Sequence, residues 1–472
     1  MFIGPDVWRG KENPLFEEDA SLLKSWKDTA ASENLYVRIG RWNVPGRPVA
    51  VLVDFQPYFA MKNDIYTRLW EDYGVDSLHA YGDYDEASMY IQKHVPEVAT
   101  IFTTHATTIG RSIAGNHKPL YEYLFAYNGN QMAQELNVQS KHSIERETAH
   151  HVDCFTTVSE VTNRECAELL DKPADVVLMN GFEKDFVPSK ALFARKRREA
   201  RRKLREVAGA LLGTEFDDDV MIISTSGRYE FRNKGIDLYM EAMNRSLRNK
   251  DLTRKILAFV QVPGWVCCPR EDLKERLDSG KACDTPLQWP LLTHWLHEMS
   301  HDQVIDYMKR YNMWNQPEDK VKVIFVPCYL DGADGIFNMH YYDLLIGMDL
   351  TVYASYYEPW GYTPLESVAF HVPCVTTNLS GFGLWVNQLL GKEGELADGV
   401  QVVRRTDYNS SEVADAIKDA ITAYSAFTPH EVENIRHKAA DISEHALWKH
   451  FIQYYYQAYD FALHKAKQRR GR

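Results

Sequence analysis

The chain of 472 residues, 45% hydrophobic and 25% charged, has the composition of a soluble globular protein of two or three domains. Its formal net charge of −12 argues against a general binder of nucleic acid or acidic membranes, and no apolar run approaches the ~20 residues of a bilayer span. Seven cysteines without a CxxC pair fit buried thiols in a reducing compartment; with no signal-peptide pattern at the start, the expected location is cytoplasmic.

Four short apolar runs mark the first part: VAVLVDF (49–55), VATIFTT (98–104), DCFTTVS (153–159) and DVVLMN (175–180). Each reads as a strand buried on both faces. IFTTHATTIGRSIAG puts His105 and Arg111 just past the second run, at the carboxyl edge of a sheet, where a cation can meet an anionic ligand. A lone histidine there is more often structural, so Arg111 is the stronger candidate.

Asn180-Gly181 opens a connection over 180–219, filled by a charged helix and closed by an acidic turn. Its RKRREARRKLREV run, from Arg195, is basic enough for nucleic acid. A solvated helix with snorkelling arginines is the expected form. Six further runs follow: VMIISTS (220–226), ILAFVQVP (256–263), VKVIFVP (321–327), LTVYAS (350–355), PCVTT (373–377) and VQVV (400–403). Such runs, alternating with helical patterns, predict an α/β fold of two doubly wound parallel-sheet domains, with ligands outside the carboxyl ends of strands. From Phe427 the chain reads as helical nearly to its end, with apolar positions at Ala446, Leu447, Phe451, Tyr454, Tyr455 and Tyr459.

Two places in the second part carry chemistry. In GRYEFRNKGIDLYMEAM, Arg228 follows a strand directly and Lys234 opens the next helix. After LTVYAS comes YYEPWGY, then TPLESVAFHVP, where Thr363 suits an N-cap, Pro364 the first helical position and Glu366 the third, a T-x-x-E capping box. Capping accounts for Glu366, whereas no helix needs Glu358. Free amides and the dipole at a helix start favour a diphosphate, and carboxylates beside it must grip uncharged hydroxyls. A sugar nucleotide satisfies both demands: diphosphate on the amides, Arg228 and Lys234, sugar on one glutamate, ribose on the other.

GRYEFRNKGID, SYYEPWGYTPLES and VTTNLSGFG together resemble glycogen synthases of the animal and fungal type, glycosyltransferase family 3. FTTHATTIGR, FTTVSEVT and Asn180-Gly181 agree in order and spacing, so the resemblance covers nearly the whole chain, and a bacterial member is expected. It implies a GT-B fold with an acceptor-side domain over 1–182, a nucleotide-sugar domain over 183–445 and a C-terminal helix, 446–472, crossing back. It implies glucose transfer from a nucleoside diphosphate glucose, UDP-glucose before ADP-glucose, to the 4-hydroxyl of glycogen or another α-1,4-glucan, with retention. No metal or cofactor is expected, and no nucleic-acid or membrane partner. A homo-oligomer is expected, with the segment from Cys283 to Gln316 available to pack between subunits. Carried over, Arg228 and Lys234 hold the diphosphate, Glu358 contacts glucose, and Arg111 reaches in from the facing domain. Glu366 takes the ribose, Thr363 with neighbouring Trp360, Gly361 and Tyr362 the phosphates, and Tyr341 lies near the base; His105 lines the pocket. Another retaining GT-B enzyme, of the sucrose or trehalose type, is the alternative.

Two departures stand against the resemblance. The family opens with a strand and a lysine-containing KVGGIYT segment, and this chain, starting MFIGPDVW, reads as having neither. It also lacks the strand and HFHEW segment before the helix at IQKHVPE, into which DYDEASMY runs directly. Either that segment belongs to the protein and is missing from this sequence, or the chain is truly short and an inactive glycogen-binding scaffold. Removing a strand from a parallel sheet exposes apolar faces, which favours the former. Where sugar-phosphate-activated members carry a dense arginine cluster, VENIRHKAADISEH offers Arg436, His437 and Lys438, so activation by glucose 6-phosphate is not expected.

Overall fold

The computed structural model describes residues 2–6, 13–32, 34–54, 56–75 and 98–470. The chain divides into two compact units, Met1–Gly82 and Asp83–Arg472. The DYDEASMY–IQKHVPE junction, where a strand segment is missed, lies outside the described residues.

In the first unit, β1 (Phe2–Pro5), β2 (Phe16–Glu18), β3 (Val37–Trp42) and β4 (Val49–Val53) form one sheet in the order β1-β4-β3-β2. β1 runs parallel to β4, from Phe2 opposite Ala50 to Pro5 opposite Val53. An opening strand is therefore present, against the reading of MFIGPDVW. It is an edge strand of four residues with Phe2 and Ile3 exposed, too short for a buried pattern to show. β3 pairs antiparallel with both β2 and β4, so this sheet is mixed rather than parallel. Residues 43–48 make too short a connection for a crossover, and Gly46 (φ +84°) turns them into a hairpin.

The second unit holds the other nine runs as strands and one hairpin-like pair. β5 (Ile101–Thr104), β6 (Cys154–Thr157) and β7 (Val176–Val177) form a parallel sheet. A second parallel sheet comprises β8 (Met221–Ser226), β9 (Ile256–Gln261), β12 (Val321–Val326), β13 (Leu350–Val352), β14 (Cys374–Thr377) and β15 (Val400–Val403). Between β9 and β12 in sequence, β10 (Val266–Pro269) and β11 (His294–Leu296) pair antiparallel on their own. The six-stranded order is β12-β9-β8-β13-β14-β15. The chain winds outward from β8 to one side, then returns to lay β13 on the other. The switch point falls between β8 and β13, where such sheets open a crevice for ligands.

The basic run forms the helix Lys190–Leu212, and two of its arginines are not solvated: Arg197 and Arg201 each lie 2.7 Å from Asp349, which also accepts from Ile222 N (2.8 Å). The two crossings between the parallel sheets run side by side. Phe182 N donates to Ala446 O (2.9 Å) and Trp448 N to Phe182 O (3.2 Å). A Cβ on Gly181 would come 2.7 Å from the Trp448 ring, so glycine permits this approach. The helix Trp448–Arg470 then packs Ala458 and Ala462 over Cys154 of β6 and Leu178 just past β7, and Arg469 pairs with Asp153.

Candidate active site

Beyond β8, Gly227 (φ +136°) turns the chain into a loop that ends at Gly235 (φ +70°). A Cβ on Gly235 would lie 1.9 Å from Ala354 O, so the loop rests on main chain just past β13. Asn233 O accepts from both Tyr356 N (2.9 Å) and Tyr357 N (3.1 Å). This clamp brings Lys234 Nζ to 2.5 Å from Glu358 Oε2, with the two side chains 12% and 14% exposed. Two candidates far apart in the chain thus meet at the switch point. Arg228 lies in the same loop but is exposed, its guanidinium 3.1 Å from Glu230.

The TTNLSGFG stretch holds the turn that carries Glu358. Gly381 N donates to Glu358 O (3.1 Å), Phe382 N to Trp360 O (2.7 Å) and Ser380 Oγ to Trp360 O (2.9 Å). The Trp360 indole is a core group, packed among Phe382, Trp385 and Phe451, and serves to seat the turn.

The following helix, Tyr362–Ala369, starts earlier than expected. Its N-cap is Gly361 (φ +113°), not Thr363, and the T-x-x-E capping box does not form. Glycine enters the left-handed region freely, so the helix begins two residues before Pro364. Since Gly361 has no side chain, the N-cap residue itself leaves the amides at this helix start uncapped. Glu366, freed from capping, accepts from the Tyr342 hydroxyl at 2.8 Å. Burial pushes its carboxyl up to about 7, against the pull of that hydrogen bond. Tyr341 has its hydroxyl 2.7 Å from Ser226 Oγ, the last residue of β8, while Tyr342 stacks on Phe370 at 4.9 Å. Tyr341 thus lies at the carboxyl end of β8, with Glu366 close enough to act on its hydroxyl.

From the three-stranded sheet, Thr107 caps the helix Thr108–Gly115 by accepting from Gly110 N at 3.0 Å. Exposed Arg111 on this helix shares a recess of about 400 Å³ with Glu230, Arg232 and Asn233. Arg232 Nη1 also donates to His117 O (3.2 Å), closing one side. Arg111 is thus brought to the Arg228–Lys234 loop. His105, exposed past β5, does not line that recess.

Several groups that tie the site together escaped the sequence. The Tyr356 hydroxyl donates to Asp407, which also accepts from Leu120 N (2.8 Å) and Glu122 N (2.6 Å). The Tyr357 hydroxyl donates to Glu165 at 3.0 Å. Position directly before Glu358 was a signal for the two tyrosines, but nothing local marks Asp407 or Glu165. Among the described residues, His294, Cys328 and Asp334 have ligand atoms within 4.8 Å of one another. They are already engaged: His294 Nε2 donates to Asp334 O (2.9 Å), and the Asp334 carboxylate accepts from the amides of Ile336, Phe337 and Asn338. That arrangement anchors a loop.

The family described as glycogen synthase matches residues 85–268 and 271–470. The glycogen [starch] synthase of Neurospora crassa is 25% identical over 94% of this chain and 76% of its own. Isoform 2 of Saccharomyces cerevisiae is 25% identical over 98% and 79%, and the human liver enzyme 26% over 93% and 74%. Among solved structures, a sucrose-phosphate synthase from Thermosynechococcus elongatus covers 88% of this chain and 84% of its own at 15% identity and TM-score 0.47. A glycosyltransferase of lipopolysaccharide biosynthesis covers 79% and 84% at 14% and 0.42. The parallel sheets joined by paired crossings have the doubly wound α/β arrangement expected of a GT-B fold. With both long stretches matched and the Lys234–Glu358 turn assembled within them, the chain belongs to the glycogen synthase family.

Proposed function

We propose that the chain is a retaining glucosyltransferase moving glucose from UDP-glucose to the 4-hydroxyl of glycogen or a similar α-1,4-glucan. The observation that carries this is the Lys234–Glu358 pair at the switch point, beside a helix start whose N-cap residue, Gly361, offers no cap. An ammonium has three N–H donors, so Lys234 can hold Glu358 and a phosphate oxygen together. Glu358 keeps an oxygen for sugar hydroxyls, and Glu366 supplies one for the ribose. Arg228, exposed on its loop, has the reach to turn from Glu230 to the diphosphate.

In this reading the bond from C1 to the diphosphate oxygen breaks as the acceptor's O4 bonds to C1 on the same face. The acceptor proton passes to the departing phosphate oxygen. Lys234, Arg228 and the amides of Tyr362 and Thr363 meet the charge that grows there, fixed in place before reaction. Glu358 and Glu366 bind the donor; they are not the carboxyl pair ~5–5.5 Å apart that a retaining glycosidase sets across its bond. Arg111, from the acceptor side, approaches the same diphosphate and helps exclude water. The reaction as written asks for no metal. A homo-oligomer in a reducing cytoplasm belongs to the same reading, and the seven free thiols suit that compartment.

Incorporation of labelled glucose into glycogen, from UDP-glucose and separately from ADP-glucose, tests it. Wild type should incorporate from UDP-glucose, and Lys234→Ala should be slower by ~10²-fold or more. Absence of incorporation from either donor ends the reading and leaves the inactive scaffold.

A further inference from the structure

Glu165 sits on the helix Glu160–Leu169, 1% exposed, and forms no ion pair among the described residues. Its Oε2 accepts from Thr107 Oγ1 at 2.6 Å and from the Tyr357 hydroxyl at 3.0 Å; its Oε1 lies 3.5 Å from the Tyr121 hydroxyl. Gly110 comes so near that a Cβ would stand 2.2 Å from the same Oε2. A second buried carboxylate, Glu145, holds the same helix start, accepting from Thr104 Oγ1 (2.5 Å) and Thr108 N (2.9 Å). Burying a carboxylate with no countercharge costs more than burying an apolar side chain of its size. What this one gains is three hydroxyls aimed at it from separate segments.

Each of its two strong partners leads to the active site. Thr107 is the N-cap of the helix that carries Arg111, and Arg111 N donates to Thr107 O (3.0 Å). Tyr357 immediately precedes Glu358, and its own N–H is held by Asn233 O, next to Lys234. One carboxylate oxygen therefore ties the acceptor-side helix to the donor-side turn.

We propose that Glu165 is a positioning residue, which sets Arg111 and the Lys234–Glu358 pair relative to each other by holding Thr107 and Tyr357 on a single carboxylate. The proposal rests on the reading of those three residues as donor-site groups. The groups facing Glu165 are Thr107, Tyr357 and Tyr121, and the Glu145 carboxylate acts on it through space. Burial pushes its carboxyl up to about 7; the hydroxyls oppose this and Glu145 adds to it. Protonation removes the negative charge that strengthens both hydroxyl bonds to Oε2, so the tie weakens on the acid side of neutrality.

Amide hydrogen exchange on the full chain, with steady-state kinetics, tests this. E165Q and Y357F should each speed exchange in both 108–115 and 356–358, and the double variant should add little, as expected of partners in one contact. Turnover at saturating donor should fall by about 10- to 100-fold, as for a small misplacement of reacting groups, with the donor KM changed less. The acid limb of kcat near pH 7 should shrink in E165Q, with what remains assigned to Glu366, whose carboxyl burial also pushes up to about 7. Exchange changes confined to the substituted segment, or wild-type kcat in both variants, overturn the proposal. Tyr357→Phe removes one hydroxyl, so the test survives a failure of E165Q to fold. The exchange result does not need glucose transfer, so its failure is distinct from failure of the donor-site reading.

Discussion

Lys234 and Glu358 stand 124 residues apart in the chain, yet their side chains meet at 2.5 Å. Both lie at carboxyl ends of strands, which the apolar runs made legible, and neighbouring β8 and β13 bring those ends together. Replacing Glu358 by Gln keeps the shape and removes the charge; labelled-glucose turnover should fall by ~10²-fold as Lys234 loses its fixed partner. Unchanged turnover would take Glu358 out of the donor site. Glu366 makes a prediction of another kind. Its carboxyl titrates near 4.5 unfolded and about 7 folded, because burial disfavours the charge. Between those values the unfolded chain releases a proton that the folded chain keeps, so stability falls as pH rises through this window, and the loss persists above it. Glu366→Gln removes that loss. Urea midpoints of wild type and variant should agree near pH 4.5 and favour the variant at pH 8. Equal midpoints at pH 8 would show that the carboxyl is not held neutral.

At the scale of elements, the loop 228–235 and the helix start at Gly361 determine what the site can hold. The loop is tight because Gly235 lies against Ala354 O in the left-handed region. Gly235→Ala should cost about 1–3 kcal/mol in urea unfolding from backbone strain alone, and more as the loop shifts. Turnover should drop with it, since the same shift carries Lys234 away from Glu358. A fully active, equally stable Gly235→Ala would mean the loop is not seated as described. The T-x-x-E pattern suggested a cap at Thr363, but the pattern carries no information on φ at Gly361. The left-handed glycine moved the helix start and turned Glu366 from a cap into a partner of Tyr342. The basic helix is similar: its composition suited a solvated surface, while Arg197 and Arg201 enclose Asp349. Asp349→Ala leaves two guanidiniums without their counterion and should destabilise by about 3–5 kcal/mol, read from the urea midpoint.

Across the whole chain, the second unit is held together where its two parallel sheets exchange segments. Gly181-Phe182 and Ala446–Trp448 run side by side, and the last helix returns to cover β5, β6 and β7. Deleting residues 448–470 would uncover Cys154 and Leu178 and leave Asp153 without Arg469. Such a chain should expose residues 98–178 to limited proteolysis while the six-stranded sheet stays resistant. Even resistance across both regions would show that the helix is dispensable for the smaller sheet.

Hydrophobic periodicity is a local property, so the sequence alone determined the ten strand runs and the residues at strand ends, while the strand order and its switch point came from the tertiary structure. Spacing in SYYEPWGYTPLES and GRYEFRNKGID marked Arg228, Lys234, Glu358 and Glu366 as candidates for the same reason. Only the tertiary structure decided which group faces which: that Trp360 is core, that Gly361 and not Thr363 starts the helix, and that Phe2–Pro5 is an edge strand. It also decided that Tyr357 reaches Glu165, 192 residues away. A hydroxyl and a carboxylate carry no mark of their partner until packing excludes water and brings them together.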